Sequence, residues 1–186
     1  MDLVQRAKNI LLTPKTEWPV IAGETDTLSG LLTSYVIPLA SIPALASLVS
    51  GFVISGGSTK MVITTALIAY ASAIISYVIT AYVVDFLAGN FNSEKDLNKS
   101  AQLVAYASTA SWVAGLLTLI PVLGILGSLA GAIYAIYLCY LGIGPMKKTP
   151  DDKKVVYLVV IFVVMIGISM LLAAVFGAMF LAGAMM

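Results

Sequence analysis

Asp85 is the ionisable residue whose setting most invites a chemical reading. It is the first charge after a run that is uncharged from Met61 onward, and it sits in Val83-Val84-Asp85-Phe86-Leu87. An ionisable group at membrane depth marks an ion or substrate path by default. At a membrane interface the same carboxylate is simply hydrated or paired, with Lys95 or Lys99 as partners, and its place near the end of the run favours this second reading. Gln102, Tyr106 and Thr109 follow at i, i+4 and i+7, one helical face. Asp85, Gln102 and Tyr106 together make a candidate polar site at one mouth of a helical bundle.

Catalysis lacks its parts. The chain has no histidine and a single cysteine, Cys139, so a histidine-based triad or metal site is excluded and no disulfide forms within the chain. The acids do not form a membrane-embedded pair. Gly56-Gly57-Ser58-Thr59-Lys60 resembles a phosphate loop only superficially, because no strand precedes it and it lies between two apolar runs. No catalytic residue, cofactor or metal site is expected. A net charge of +1 without a clustered basic face excludes nucleic acid.

The elements that carry these residues are set by solvent. The chain is 60% hydrophobic and 10% charged, against about 45–50% and about 25% in soluble domains. Residues 28–54, 61–84, 101–146 and 155–186 contain no charge. A span needs about 20 apolar residues, and in lipid each must satisfy its own backbone as a helix. One helix through 101–146 would be about 69 Å long, so it must break, and Ile120-Pro121-Val122-Leu123-Gly124 is the place. The expected fold is all-α: a single membrane domain of five helices, about 28–54, 61–88, 99–120, 123–144 and 151–183. A short amphipathic interfacial helix precedes it within 1–27.

Charge asymmetry supports five crossings. With the N-terminus inside, Arg6, Lys8, Lys15, Lys95, Lys99, Lys147, Lys148, Lys153 and Lys154 all lie in the cytoplasm, and only Lys60 lies outside. Four crossings would divide the same ten residues evenly. The C-terminus, Met186, is then exterior. The charged first 27 residues carry no long apolar stretch, so no signal peptide is expected. Leu3, Val4, Ala7, Ile10 and Leu11 recur at helical spacing, a surface helix on the inner leaflet that ends at Thr13-Pro14, with Trp18 as interfacial anchor. Thr149-Pro150-Asp151-Asp152 reads as an N-cap followed by proline at the first helical position, and Ser93-Glu94-Lys95-Asp96 as a weaker start.

Within the spans the polar and small residues favour packing. Thr65, Ser72, Ser76 and Thr80 form a hydroxyl stripe, and Gly127 and Gly131 a G-x-x-x-G step continued by Ala135 and Cys139. Pro38 and Pro43 kink the first span, and Pro121 turns the chain. Tyr134, Tyr137 and Tyr140 read as an interfacial belt.

Arg6-Ala7-Lys8-Asn9-Ile10-Leu11-Leu12-Thr13-Pro14 with Glu17-Trp18, Gln102-Leu103-Val104-Ala105-Tyr106-Ala107, Ile120-Pro121-Val122-Leu123-Gly124 and Lys148-Thr149-Pro150-Asp151-Asp152-Lys153 occur in an order that resembles the prokaryotic branch of the Yip-domain (Ypt-interacting protein) family. The resemblance implies five helices and a cytosolic N-terminus. Eukaryotic members bind Rab-type small GTPases in vesicle traffic. Their D-L-Y-G-P motif has no counterpart before Leu28, and Asp85-Phe86-Leu87-Ala88-Gly89 is a distant echo in another place, so that role is not carried over. The expectation is a non-enzymatic scaffold in the plasma (cytoplasmic) membrane of a prokaryote. Its partners are the lipid bilayer and other membrane proteins or a second copy of the chain. The alternative is a transporter or channel for a small solute or ion.

Overall fold

The charge-free runs fold as helices because lipid offers their backbone groups no partner. The computed structural model describes residues 2–53, 56 and 58–184; Ile54, Gly57 and Met186 lie outside the described residues. Two short helices, α1 (Leu3–Leu12) and α2 (Pro14–Ala22), come first. The first span is α3 (Leu28–Leu31), a π-helical turn (Leu32–Val36) and α4 (Ile37–Val53). Then follow α5 (Thr59–Ala88), α6 (Leu97–Ala114), α7 (Pro121–Lys147) and α8 (Asp151–Ala184). Five segments are long and apolar enough to cross a membrane: Leu28–Val53, Thr59–Phe91, Leu97–Leu119, Val122–Lys147 and Asp151–Ala178.

Proline and small side chains shape the spans. The π turn ends two residues before Pro38, whose missing N–H frees the Ser34 carbonyl, and the widened turn absorbs the mismatch. Pro43 lies inside α4 against Gly115, where an added Cβ would stand 2.5 Å from the Pro43 Cβ. The break in 101–146 falls where proline demands it. A 3₁₀ turn (Gly115–Leu119) ends the third span, Ile120 is extended, and Pro121 opens α7.

α6 is the centre of the bundle. It touches α1, α3, α4, α5 and α7, and 56% of its span is buried against 11% for α8. It is also the least apolar of the five spans, which fits a helix shielded from lipid by its neighbours. Gly131 allows α7 to approach it: an added Cβ would meet the Ala114 Cβ at 2.6 Å and the Ala110 carbonyl oxygen at 3.1 Å. Gly127 fits over Leu117 in the same way. The G-x-x-x-G step is thus occupied inside the chain. Thr65, Ser72 and Ser76 face Ser169, Ala173 and Gly177 of α8 across a groove.

The helix starts differ in detail from expectation. Asp96, not Ser93, caps α6, its carboxylate accepting from Asn98 N at 2.9 Å and Lys99 N at 3.1 Å. Pro150 is outside α8, and its carbonyl accepts from Lys153 and Lys154. Thr149 does not cap that helix. Its hydroxyl donates back to the Ile143 carbonyl at 3.2 Å and lies 2.8 Å from the Ser93 hydroxyl.

The N-terminal segment departs most from expectation. It is two helices rather than one, and they fold onto α6 and α7. Trp18 is not an exposed anchor: it is 1% exposed, held against Leu103 and Gly142. Tyr134, expected in an interfacial belt, donates to the Leu11 carbonyl at 2.6 Å, whereas Tyr137 and Tyr140 remain exposed.

Candidate functional site

Two polar clusters occupy one end of the bundle. The first is centred on Arg6, 4% exposed. Its Nη1 pairs with Glu17 Oε1 at 2.5 Å, its Nη2 pairs with Glu24, and Asn9 donates to Glu17 Oε2 at 3.2 Å. Burial disfavours the guanidinium charge, but Glu24 and Glu17 outweigh it, and the pKa is raised above the ordinary arginine value. The guanidinium carbon also lies 5.5 Å over the Tyr106 ring, a cation–π distance. The Tyr106 hydroxyl donates to Asp26 Oδ2 at 3.2 Å. Its ring meets Tyr35 edge-on at 4.8 Å, and the Tyr35 hydroxyl lies 2.8 Å from that of Thr109.

Lys99 closes the same cluster by donating to the carbonyls of Ala22 and Glu24, each at 2.6 Å. Gln102 Nε2 reaches the Glu24 carbonyl at 3.5 Å. A cavity of ≈390 Å³ opens beside these groups, lined by Asp2, Arg6, Glu24, Asp26, Tyr35 and Tyr106 among others. Asp85 is not part of its lining.

The second cluster ties three helices. Lys147, the last residue of α7 and fully buried, donates to Asp85 Oδ1 on α5 at 3.1 Å. It also donates to the Ser100 hydroxyl of α6 at 2.6 Å and to the Asp96 carbonyl at 3.1 Å. Ser100 in turn donates to Asp85 at 3.2 Å. Nearby, Glu94 N donates to the Lys147 carbonyl at 2.7 Å, and exposed Lys148 pairs with Glu94 at 2.8 Å. These contacts are possible because α7 ends at Lys148 in a left-handed conformation (φ 50°), which turns the chain back across α6.

The three residues read as one polar site are therefore divided. Gln102 and Tyr106 belong with Arg6, Glu24 and Asp26. Asp85 belongs with Lys147 and Ser100, and its cation is neither Lys95 nor Lys99. Sequence spacing could not reveal Arg6–Glu17 or Asp85–Lys147, whose partners lie 11 and 62 residues apart. The one available signal was that Arg6 and Glu17 interrupt otherwise apolar helical faces, at positions that end up buried.

The contacts also place the loops. The segment before Leu28, the turn at 89–96 and the turn at 147–150 all meet at this end, where nine of the ten basic residues lie; Lys60 is in the first turn of α5, at the other. A model of the Yip1 domain matches residues 8–174. The chain belongs to the Yip1-domain family. The match takes in the Asp85 cluster, the first cluster except for Arg6 and Asp2, and all five spans up to the last part of α8. No curated protein matches this Yip1-domain chain, and no solved structure does.

Proposed function

We propose that this Yip1-domain protein is a non-enzymatic scaffold of a prokaryotic cytoplasmic membrane, which holds other membrane proteins or further copies of itself. The observation that carries this reading is the tie of Asp85 to Lys147 and Ser100. A transport role rests on an acid free to bind or release its cargo. Here the acid joins α5, α6 and α7, and its charge is answered within the chain. The Arg6 cluster likewise fixes the N-terminal helices on the bundle. Partners are received on the outer flank, where α8 is 11% buried and Val163, Ile166, Met170 and Leu171 are exposed. The basic end faces the cytoplasm by the positive-inside bias, which leaves the chain's other end outside.

Proteoliposomes test the division. Purified protein is expected to move none of a panel of ions and small solutes, and Asp85→Asn to leave that unchanged. Crosslinking in nanodiscs is expected to recover defined neighbours through α8. Solute flux that Asp85→Asn abolishes would establish transport instead.

A further inference from the structure

A cavity of ≈180 Å³ lies inside the bundle, where α5, α6, α7 and α8 meet. Most of its wall is apolar, with Val104 and Ala107 of α6, Ala135 of α7, and Ile161 and Phe162 of α8. Three hydroxyl residues also line it, Ser108 and Ser111 of α6 and Thr80 of α5, and the last is out of keeping with the rest. Thr80 lines the cavity, is 1% exposed, and its hydroxyl has no hydrogen-bond partner. Threonines in helices ordinarily donate to the carbonyl one turn back. Thr65 does so to Met61, and Thr109 to Ala105. Among the described residues, Thr80 is the buried serine or threonine whose hydroxyl has no partner. A buried hydroxyl left unpaired is destabilising, so such a group calls for an occupant.

The volume identifies what kind. An apolar protein cavity of about 150 Å³ stays dry and accepts benzene. This one is slightly larger and adds hydroxyls to the wall. Its wall is too apolar to give a chain of waters the two to four partners each requires. Ser111 and Ala132 lie at its edge and are exposed, so it opens on the flank of the bundle rather than on the polar end. We propose that this cavity binds one small lipophilic molecule bearing a hydroxyl or carbonyl oxygen, entering from the membrane and hydrogen-bonded by Thr80. This site is separate from the partner surface and from both charged clusters, and it does not depend on the scaffold role.

The test uses 3-azioctanol, a photoreactive aliphatic alcohol, on the full chain in nanodiscs, with adducts mapped by mass spectrometry. Adducts are expected to concentrate on Cys139, Phe162 and Met165. Benzyl alcohol should displace them several-fold more effectively than ethylbenzene, which matches it in size without the oxygen. Thr80→Val should reduce these adducts at least threefold while labelling elsewhere persists. Ala135→Phe, which fills the space, should abolish them; Ala107→Leu serves if the first variant does not fold. Labelling spread evenly over the lipid-facing helices would overturn the proposal. So would cavity labelling unchanged in a folded Thr80→Val protein, or equal displacement by the two competitors.

Discussion

Lys147 Nζ lies 3.1 Å from Asp85 Oδ1, which joins the last residue of α7 to the last turn of α5 across 62 positions of sequence. The lysine is fully buried, while the aspartate side chain is 24% exposed. Removing the lysine leaves a carboxylate that water can still reach. Removing the carboxylate leaves a buried ammonium held only by Ser100 and a carbonyl.

The two substitutions should therefore differ. Asp85→Ala is expected to destabilise the bundle by about 3 kcal/mol, the loss typical of a broken buried pair, and Lys147→Ala by about 2 kcal/mol. Asp85→Asn keeps an acceptor for Ser100 and should cost less than either. Denaturation in mixed micelles, followed by circular dichroism, reads the order. Equal effects from all three would mean that the pair contributes nothing beyond packing.

Arg6 holds the N-terminal helices by the same logic. Arg6→Ala strands buried Glu17, and α1 and α2 should detach. Hydrogen exchange of the Leu3–Ala22 amides is expected to rise at least tenfold while α6 exchange stays near the parent rate. Arg6→Lys supplies charge without a two-pronged donor and should restore protection only in part. Arg6→Met with Glu17→Leu should recover more than Arg6→Ala, because no unpaired charge remains.

Gly142 makes room for Trp18. An added Cβ would stand 2.6 Å from two atoms of the indole. Gly142→Ala is expected to displace the ring, at about 1–3 kcal/mol for overpacking. In a Trp112→Phe background, Trp18 emission should shift to the red. An unshifted spectrum would mean that α2 adjusts without moving its tryptophan.

Gly131→Leu should unseat α7 from α6, since the nearest neighbours include the Ala110 carbonyl oxygen and the Ser111 backbone. The expected outcome is loss of stability with oligomeric state unchanged, measured by light scattering alongside the melt. A stable protein of altered mass would place this glycine at a contact between copies.

Five spans place the N-terminal helices and Lys60 on opposite sides. In a Cys139→Ser background, Leu12→Cys should resist a membrane-impermeant maleimide in intact cells, and Lys60→Cys should react. The reverse pattern would invert the orientation, and labelling of both would contradict the number of crossings.

The spans were readable because lipid imposes a rule that holds residue by residue: no charge within a run, and a helix wherever the run is long enough. Pro121 was readable because a 46-residue run cannot cross once. The charged clusters were not. Arg6 looked like a surface residue of an amphipathic helix, and burial of a guanidinium depends on Glu17 and Glu24 arriving from beyond a turn. Trp18 showed the same ambiguity, since an aromatic ring beside charges serves an interface or a core equally well. Its fate was set by a missing side chain at Gly142, far along the chain. Gln102 and Tyr106 were correctly read as neighbours on one face, but which helix met that face was decided by the fold of the first 27 residues.

The central position of α6 bears on how the protein is made. A segment that carries Ser100, Gln102 and Thr109 gains little from lipid when it enters alone. The tight turn at Ile120–Pro121 lets it enter beside the more apolar α7, so the two are best regarded as a single unit of biogenesis. Changes that lengthen that turn would then act during insertion, before any contact of the finished bundle exists to be lost.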